Sequence, residues 1–431
     1  MEKNDMKRLP LAAILAVFFG WLLWSVSVRQ AALFAVGLGL GAVLAGKRFG
    51  FTTGWRMLIE DKDASGVFGQ LLLLALAAAL AMPLLGHYPE LTAALGPPSI
   101  SLLVGAFVFG LCMQIADGCG SGTLYKAGMG IPMNAAILPV FAIGSFLGSL
   151  HLGWWLDLGN TQPVGLVTAW GWAPALLATL AALAVVALGV AWYVRGANVA
   201  LKRPAKPLFV RKWVVGAVLL AVLATLNLII AGQPWGVVYG FGLWAAKIAN
   251  ATGAVDLAGN WFWSQPGNAA RLHETVLLDV TSITNIGILG GAVGGCRQAR
   301  QCQAAHWHAM DGGPGGRPGA GLQLAPGFRL QCGRHALGHL HGQHPRLDLG
   351  AAGLCRHHLR PAHPPPLQLL KGPAMTQQNS LRAVFWAVLV LFLAWDHLHS
   401  PPVDLRFEAP LIAAGSGKAT QGGHCSMPAG K

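Results

Sequence analysis

Apolar residues gather in long runs along this chain, and the polar residues fall between them. Runs at 9–28, 30–46, 67–86, 98–116, 131–152, 170–194, 213–232 and 274–295 approach the roughly 20 apolar residues that carry a helix across a bilayer. Two shorter runs, 47–59 and 235–252, are rich in Gly and aromatic residues and predict broken or re-entrant segments. The pattern predicts an all-α, polytopic membrane helical protein. A cation-rich loop, 195–212, carries Arg195, Lys202, Arg203, Lys206, Arg211 and Lys212 and no acid, and divides the chain near its middle.

Composition supports this pattern. Hydrophobic residues make up 54% of the 431 and charged residues 11%, against about a quarter charged in soluble domains. A lipid bilayer accommodates that balance where water does not. The net charge of +14 would suit nucleic acid, but many of the cations flank apolar runs, where the positive-inside rule accounts for them. Nucleic acid is therefore excluded as a partner. The seven cysteines are scattered and form no CxxC pair, so neither a disulfide scaffold nor a metal site is expected, and no cofactor is implied. Lys3, Lys7 and Arg8 precede the first apolar run, and a second run follows closely without a convincing cleavage site. The first run is expected to be an uncleaved anchor in a bacterial inner membrane, with the N-terminus cytoplasmic.

The two sides of the basic loop echo one another. Arg48-Phe-Gly-Phe-Thr-Thr-Gly-Trp-Arg56 and Tyr239-Gly-Phe-Gly-Leu-Trp-Ala-Ala-Lys247 are both short Gly/aromatic segments ending in a cation. Paired interrupted segments of this kind point to pseudo-inverted repeat halves around a midplane site, or else to two unrelated Gly-rich helices. The first half is 1–194, the loop 195–212, and a partial second half 213–295.

After about residue 291 the composition changes. Residues 296–368 hold nine of the fifteen histidines among many Arg, Gly and Pro. That stretch predicts no compact domain, because little apolar surface offsets the entropy of ordering it. Back-translation offers an explanation. Read one nucleotide later, Arg329 to Arg334 permits Gly-Cys-Asn-Val-Gly, and the following residues permit apolar helix. The same frame permits a stop codon across Leu370 and Lys371, then a purine-rich stretch before Met375. Residues 296–374 are thus expected to be frame-shifted, cutting the second half short. Residues 375–431, with an apolar run at 382–396, are expected to be a separate small single-anchor protein fused by read-through.

One segment carries candidate chemistry: Gly105 to Leu124, in which an apolar helix runs into Asp117 and breaks at Gly118-Cys119-Gly120-Ser121-Gly122. Irregular backbone at membrane depth is tolerated where protein buries it or where it lines a cavity. Glycines let the chain turn and bring amide N–H groups close to a guest, and a helix start favours anions. Cys119 would offer a polarizable thiol there, or act only as a small hydrophobe. Asp117 is either a proton or counter-ion site or a residue of the water interface. Cys112, seven residues before Cys119 and on roughly the same helical face, is either a second path thiol or a packing residue. Lys126 either draws an anion to the mouth or snorkels.

The segment Phe107 to Gly130, with Gly-Cys-Gly-Ser-Gly-Thr-Leu at its heart, resembles the first signature of the YeeE/YedE family of sulphur-compound transporters. The Arg48–Arg56 stretch and Thr281-Ser-Ile-Thr-Asn-Ile-Gly287 look like other blocks of that family, so the resemblance spans about residues 40–290. The shifted-frame Gly-Cys-Asn-Val-Gly resembles its second cysteine signature. The resemblance implies a permease, not an enzyme, that passes thiosulfate or a similar small sulphur anion between thiols by transient S–H hydrogen bonds. It matches Cys119 to a path cysteine and matches Cys112 to nothing. In the printed frame the second cysteine is absent, and Cys332 does not replace it. Two other readings follow: a membrane persulfide relay that hands sulphur to a soluble sulphurtransferase or sulphur-carrier protein, or an inactive frameshift product.

Overall fold

The structure, a computed structural model, describes residues 9–202, 204, 206–295, 375–403 and 411–412. The expectations for the frame-shifted segment 296–374, its lack of a compact domain included, lie outside the described residues, as does Cys332.

Every regular element among the described residues is helical, with one isolated bridge between Ser99 and Asn160. The helices are α1 (Leu9–Ser25), α2 (Val28–Lys47), α3 (Phe51–Asp61), α4 (Ser65–His87), α5 (Ile100–Ile115), α6 (Gly120–Gly128) and α7 (Pro132–Leu150). There follow α8 (Leu152–Asp157), α9 (Leu166–Trp170), α10 (Trp172–Ala200), α11 (Arg211–Ala231), α12 (Val238–Thr252) and α13 (Pro266–His273). After the 3-10 turn Val276–Leu278 come α14 (Val280–Gly295) and α15 (Met375–His399). Among the described residues, six helical stretches are long and apolar enough to cross a membrane: Val28–Asp61, Ser65–His87, Ile100–Gly128, Pro132–Leu150, Trp172–Ala200 and Arg211–Ala231. The expected spans at 9–28 and 274–295 form shorter apolar helices, of 17 and 16 residues. The protein is an all-α, multi-pass membrane protein.

Element ends follow local chemistry. Ser27 caps α2 by accepting from Gln30 N–H at 3.1 Å, and Gly232, at φ 73°, closes α11. The buried Arg29 donates to the carbonyls of Ile230 and Ala231 at 2.8 Å each, so a cation satisfies the negative end of that helix. The loop expected over 195–212 is shorter than that. Helix α10 continues through Arg195 to Ala200 and α11 starts at Arg211; the chain leaves the helix only as it nears Pro204 and Pro207, because a residue before proline disfavours helical backbone.

Small residues set the closest packing. A Cβ on Gly291 would lie 2.0 Å from the Leu38 carbonyl oxygen, and one on Gly41 would lie 2.2 Å from that of Ile288. Helices α2 and α14 thus touch backbone to backbone, as small-residue faces allow in membrane proteins. A Cβ on Gly128 would meet the Leu289 oxygen at 2.5 Å, which brings α6 onto the same seam. Around it Leu40, Leu44, Leu124, Trp213, Phe241 and Ile288 form the main apolar core.

Helix α14 enters this core carrying buried Thr281, Ser282, Thr284 and Asn285. Asp279 caps it, accepting from Ser282 N–H at 2.7 Å and Ser282 Oγ at 2.6 Å, while Arg271 pairs with the same carboxylate at 3.0 Å. Asn285 donates to the Val237 carbonyl at 2.9 Å, which fixes the start of α12 beside α14.

Candidate functional site

The break that carries Cys119 spans four residues. Helix α5 ends at Ile115 and α6 begins at Gly120. Gly120, Ser121 and Gly122, expected to belong to the irregular stretch, already form the first turn of α6. Asp117 takes the left-handed conformation at φ 51°, which Asp tolerates better than most residues. Gly118 follows because the chain is crowded there: a Cβ would lie 2.8 Å from the Thr123 nitrogen and 2.9 Å from its Oγ1.

Cys119 is the N-cap of α6 in extended backbone, with φ −77° and ψ −172°. Its carbonyl accepts from Thr123 N–H at 2.8 Å, but no side chain caps the turn. The first-turn amides of a helix have no intrahelical acceptor, and they carry the positive end of its dipole. The Cys119 thiol sits 3.5 Å from the Ser121 hydroxyl and is only partly buried. A Cβ on Gly120 would meet Phe141 at 3.5 Å and Val237 and Val238 at 3.8 Å. This places the turn between α7 and the start of α12.

A charge cluster backs the turn. Lys126, on α6, is 8% exposed, and its ammonium lies 2.6 Å from Asp117 Oδ2 while also donating to the Asp117 carbonyl. Arg56, on α3, pairs with Asp117 Oδ1 at 3.2 Å and donates to the Gln114 carbonyl at 3.1 Å. Two cations share one carboxylate, leaving one formal positive charge beside a helix N-terminus. Asp117 thus pairs with both cations, and the Lys126 ammonium is held on its carboxylate.

Cys112 stands apart. It is exposed on α5, and the helical register that would align it with Cys119 stops at Ile115. Residue-by-residue reading also left two members of this neighbourhood unassigned. Arg56 is a partner of Asp117 although 61 positions separate them; its place at the end of the Gly/aromatic segment was the available signal. Asn134, fully buried in the first turn of α7, donates to the Ala116 carbonyl at 3.4 Å and had no signal beyond its polarity within an apolar run.

A family model described as sulphur transport matches residues 46–307, a span that contains the Cys119 turn, its charge cluster, and helices α3 to α14. No curated protein matches the chain. The match covers more than half of the 431 residues, and with these helices the chain belongs to the sulphur transport family of membrane proteins.

Proposed function

We propose that this protein serves to import thiosulfate or a related small sulphur anion across the bacterial inner membrane, with the N-terminus cytoplasmic and the Cys119 turn as part of the path. The observation that carries the reading is the placement of Cys119 at an N-cap that no side chain fills. The amides of Gly120, Ser121 and Gly122 and the helix dipole favour an anion there. The surplus charge of the Arg56–Lys126–Asp117 cluster offsets part of the cost of taking an anion out of water. A Cβ on Gly122 would lie 3.5 Å from the Cys119 sulphur, so glycine there keeps side-chain bulk off the thiol. The thiol adds a weak S–H donor and a soft sulphur surface suited to a sulphur-bearing guest. Thiosulfate then passes by hydrogen bonding to the Cys119 thiol, with no covalent bond formed.

This reading takes residues 296–374 to be out of frame, so that the second cysteine returns when the frame is restored. A soluble sulphurtransferase or sulphur carrier is the partner expected to receive the anion on the cytoplasmic side. The test is growth on thiosulfate as the sulphur source with the frame-restored protein. Cys119→Ala is expected to abolish growth and Cys112→Ala to retain most of it; equal tolerance of both would remove the thiol from the path. Mass spectrometry of Cys119 after thiosulfate exposure separates the permease from a persulfide relay, in which the thiolate would take the outer sulphur of thiosulfate as sulfite leaves and would gain the mass of about one sulphur atom.

A further inference from the structure

Helices α12 and α15 share an ion pair that lies outside the Cys119 site. Lys247, on α12, is 6% exposed, and its ammonium lies 2.6 Å from Oδ1 of Asp396 on α15, which is 2% exposed. The other carboxylate oxygen accepts from Val276 N–H at 2.6 Å and from Thr275 Oγ1 at 3.1 Å. Lys247 also donates to the Glu274 carbonyl. Apolar contacts surround this polar clasp. Leu389 is buried in the main core, Phe392 packs on Trp244 with ring centroids 5.8 Å apart, and His397 meets Trp21 edge-on at 5.2 Å.

We propose that the face formed by α12, Thr275 and Val276 is a docking seat for a single apolar helix bearing one carboxylate near its C-terminal end, and that α15 is its occupant. A buried lysine without a counter-charge is strongly unfavourable, so Lys247 selects for an acid. The apolar length of α15 supplies contact area, and Asp396 fixes depth and rotation. Both partners are charged and enclosed, so an uncharged helix of equal hydrophobicity does not replace α15. The seat needs no chain continuity through 296–374: on one polypeptide the contact is intramolecular, and with residues 375–431 as a separate protein it joins two subunits. The proposal does not depend on the sulphur substrate.

The experiment uses the full chain, tagged at its N-terminus, with a site for a specific protease inserted after Gly353 and the protein held in mild-detergent micelles, from which an undocked helix can separate. After cleavage, the C-terminal fragment is expected to stay with the tagged part. Asp396→Ala and Lys247→Ala are each expected to lower retention at least tenfold, and the swap Lys247→Asp with Asp396→Lys to restore most of it. Where the alanine variants fail to stay monodisperse, Asp396→Asn, which keeps the shape and drops the charge, and the swap carry the test. Release of the unsubstituted fragment, or undiminished retention with Asp396→Asn, would overturn the proposal. Thiosulfate uptake plays no part in this readout, so failure here and failure of the permease reading are distinguishable.

Discussion

The Lys126 ammonium lies 2.6 Å from the carboxylate of Asp117, a residue held in left-handed backbone at φ 51° immediately before the Cys119 turn. The side chains are 10% and 17% exposed, so each charge depends on the other. Removing one partner of a buried pair costs about 3–5 kcal/mol. Arg56 remains a partial partner for Asp117, which makes Lys126→Ala the milder change. Asp117→Ala, which strands Lys126, is expected to lower thermal stability in detergent by more than Lys126→Ala. Fluorescence-detected thermal unfolding of both variants checks the order.

The seam between α2 and α14 gives a steric prediction. Gly291→Ala places a Cβ against the Leu38 carbonyl, where backbone cannot move aside as a flexible side chain would. The expected destabilisation is about 1–3 kcal/mol. Gly189, within α10, has no atom within 4 Å of an added Cβ; Gly189→Ala is expected to be neutral or to stabilise by up to about 1 kcal/mol. Thermal midpoints of the pair, measured side by side, test whether the seam is as tight as its geometry.

The cations predict an orientation. Lys206 and its neighbours join α10 to α11 without intervening acids, and the positive-inside rule assigns such a short connection to the cytoplasm. Reporter fusions at Lys7 and Lys206 are both expected to give a cytoplasmic signal. A periplasmic signal at either would reverse the assignment.

Asp63 joins α3 to α4 and ties them to the same connection. Burial by itself would raise its carboxyl, but hydrogen bonds from Ser65 and the nearby Lys206 ammonium outweigh burial and hold it below the ordinary 3.8. Ser65 N–H donates to it at 3.0 Å and Lys206 lies 3.3 Å away. A depressed folded value means the carboxylate stabilises the fold above the unfolded value, and this contribution fades as pH falls through the folded one. The stability difference between wild type and Asp63→Asn is therefore expected to be constant near neutrality and to shrink below about pH 4. Unfolding midpoints across that range decide it.

Much of the architecture was legible in the chain because it depends on local quantities. Apolar run length located the helices, since hydrocarbon demands satisfied backbone over a fixed thickness. Glycine density located the break near Cys119, since only small residues let the backbone turn there. The exact break, Ala116 to Cys119, was not legible: Gly120-Ser121-Gly122 can be either turn or first helical turn, and in the structure they open α6. The partners of charges were decided by tertiary structure alone. Asp117 meets Arg56 across 61 positions, and Asp396 on α15 meets Lys247 on α12. Coulomb attraction acts through space, and in a low-dielectric interior it selects whichever opposite charge the helix packing brings near. No spacing along the chain encodes that choice.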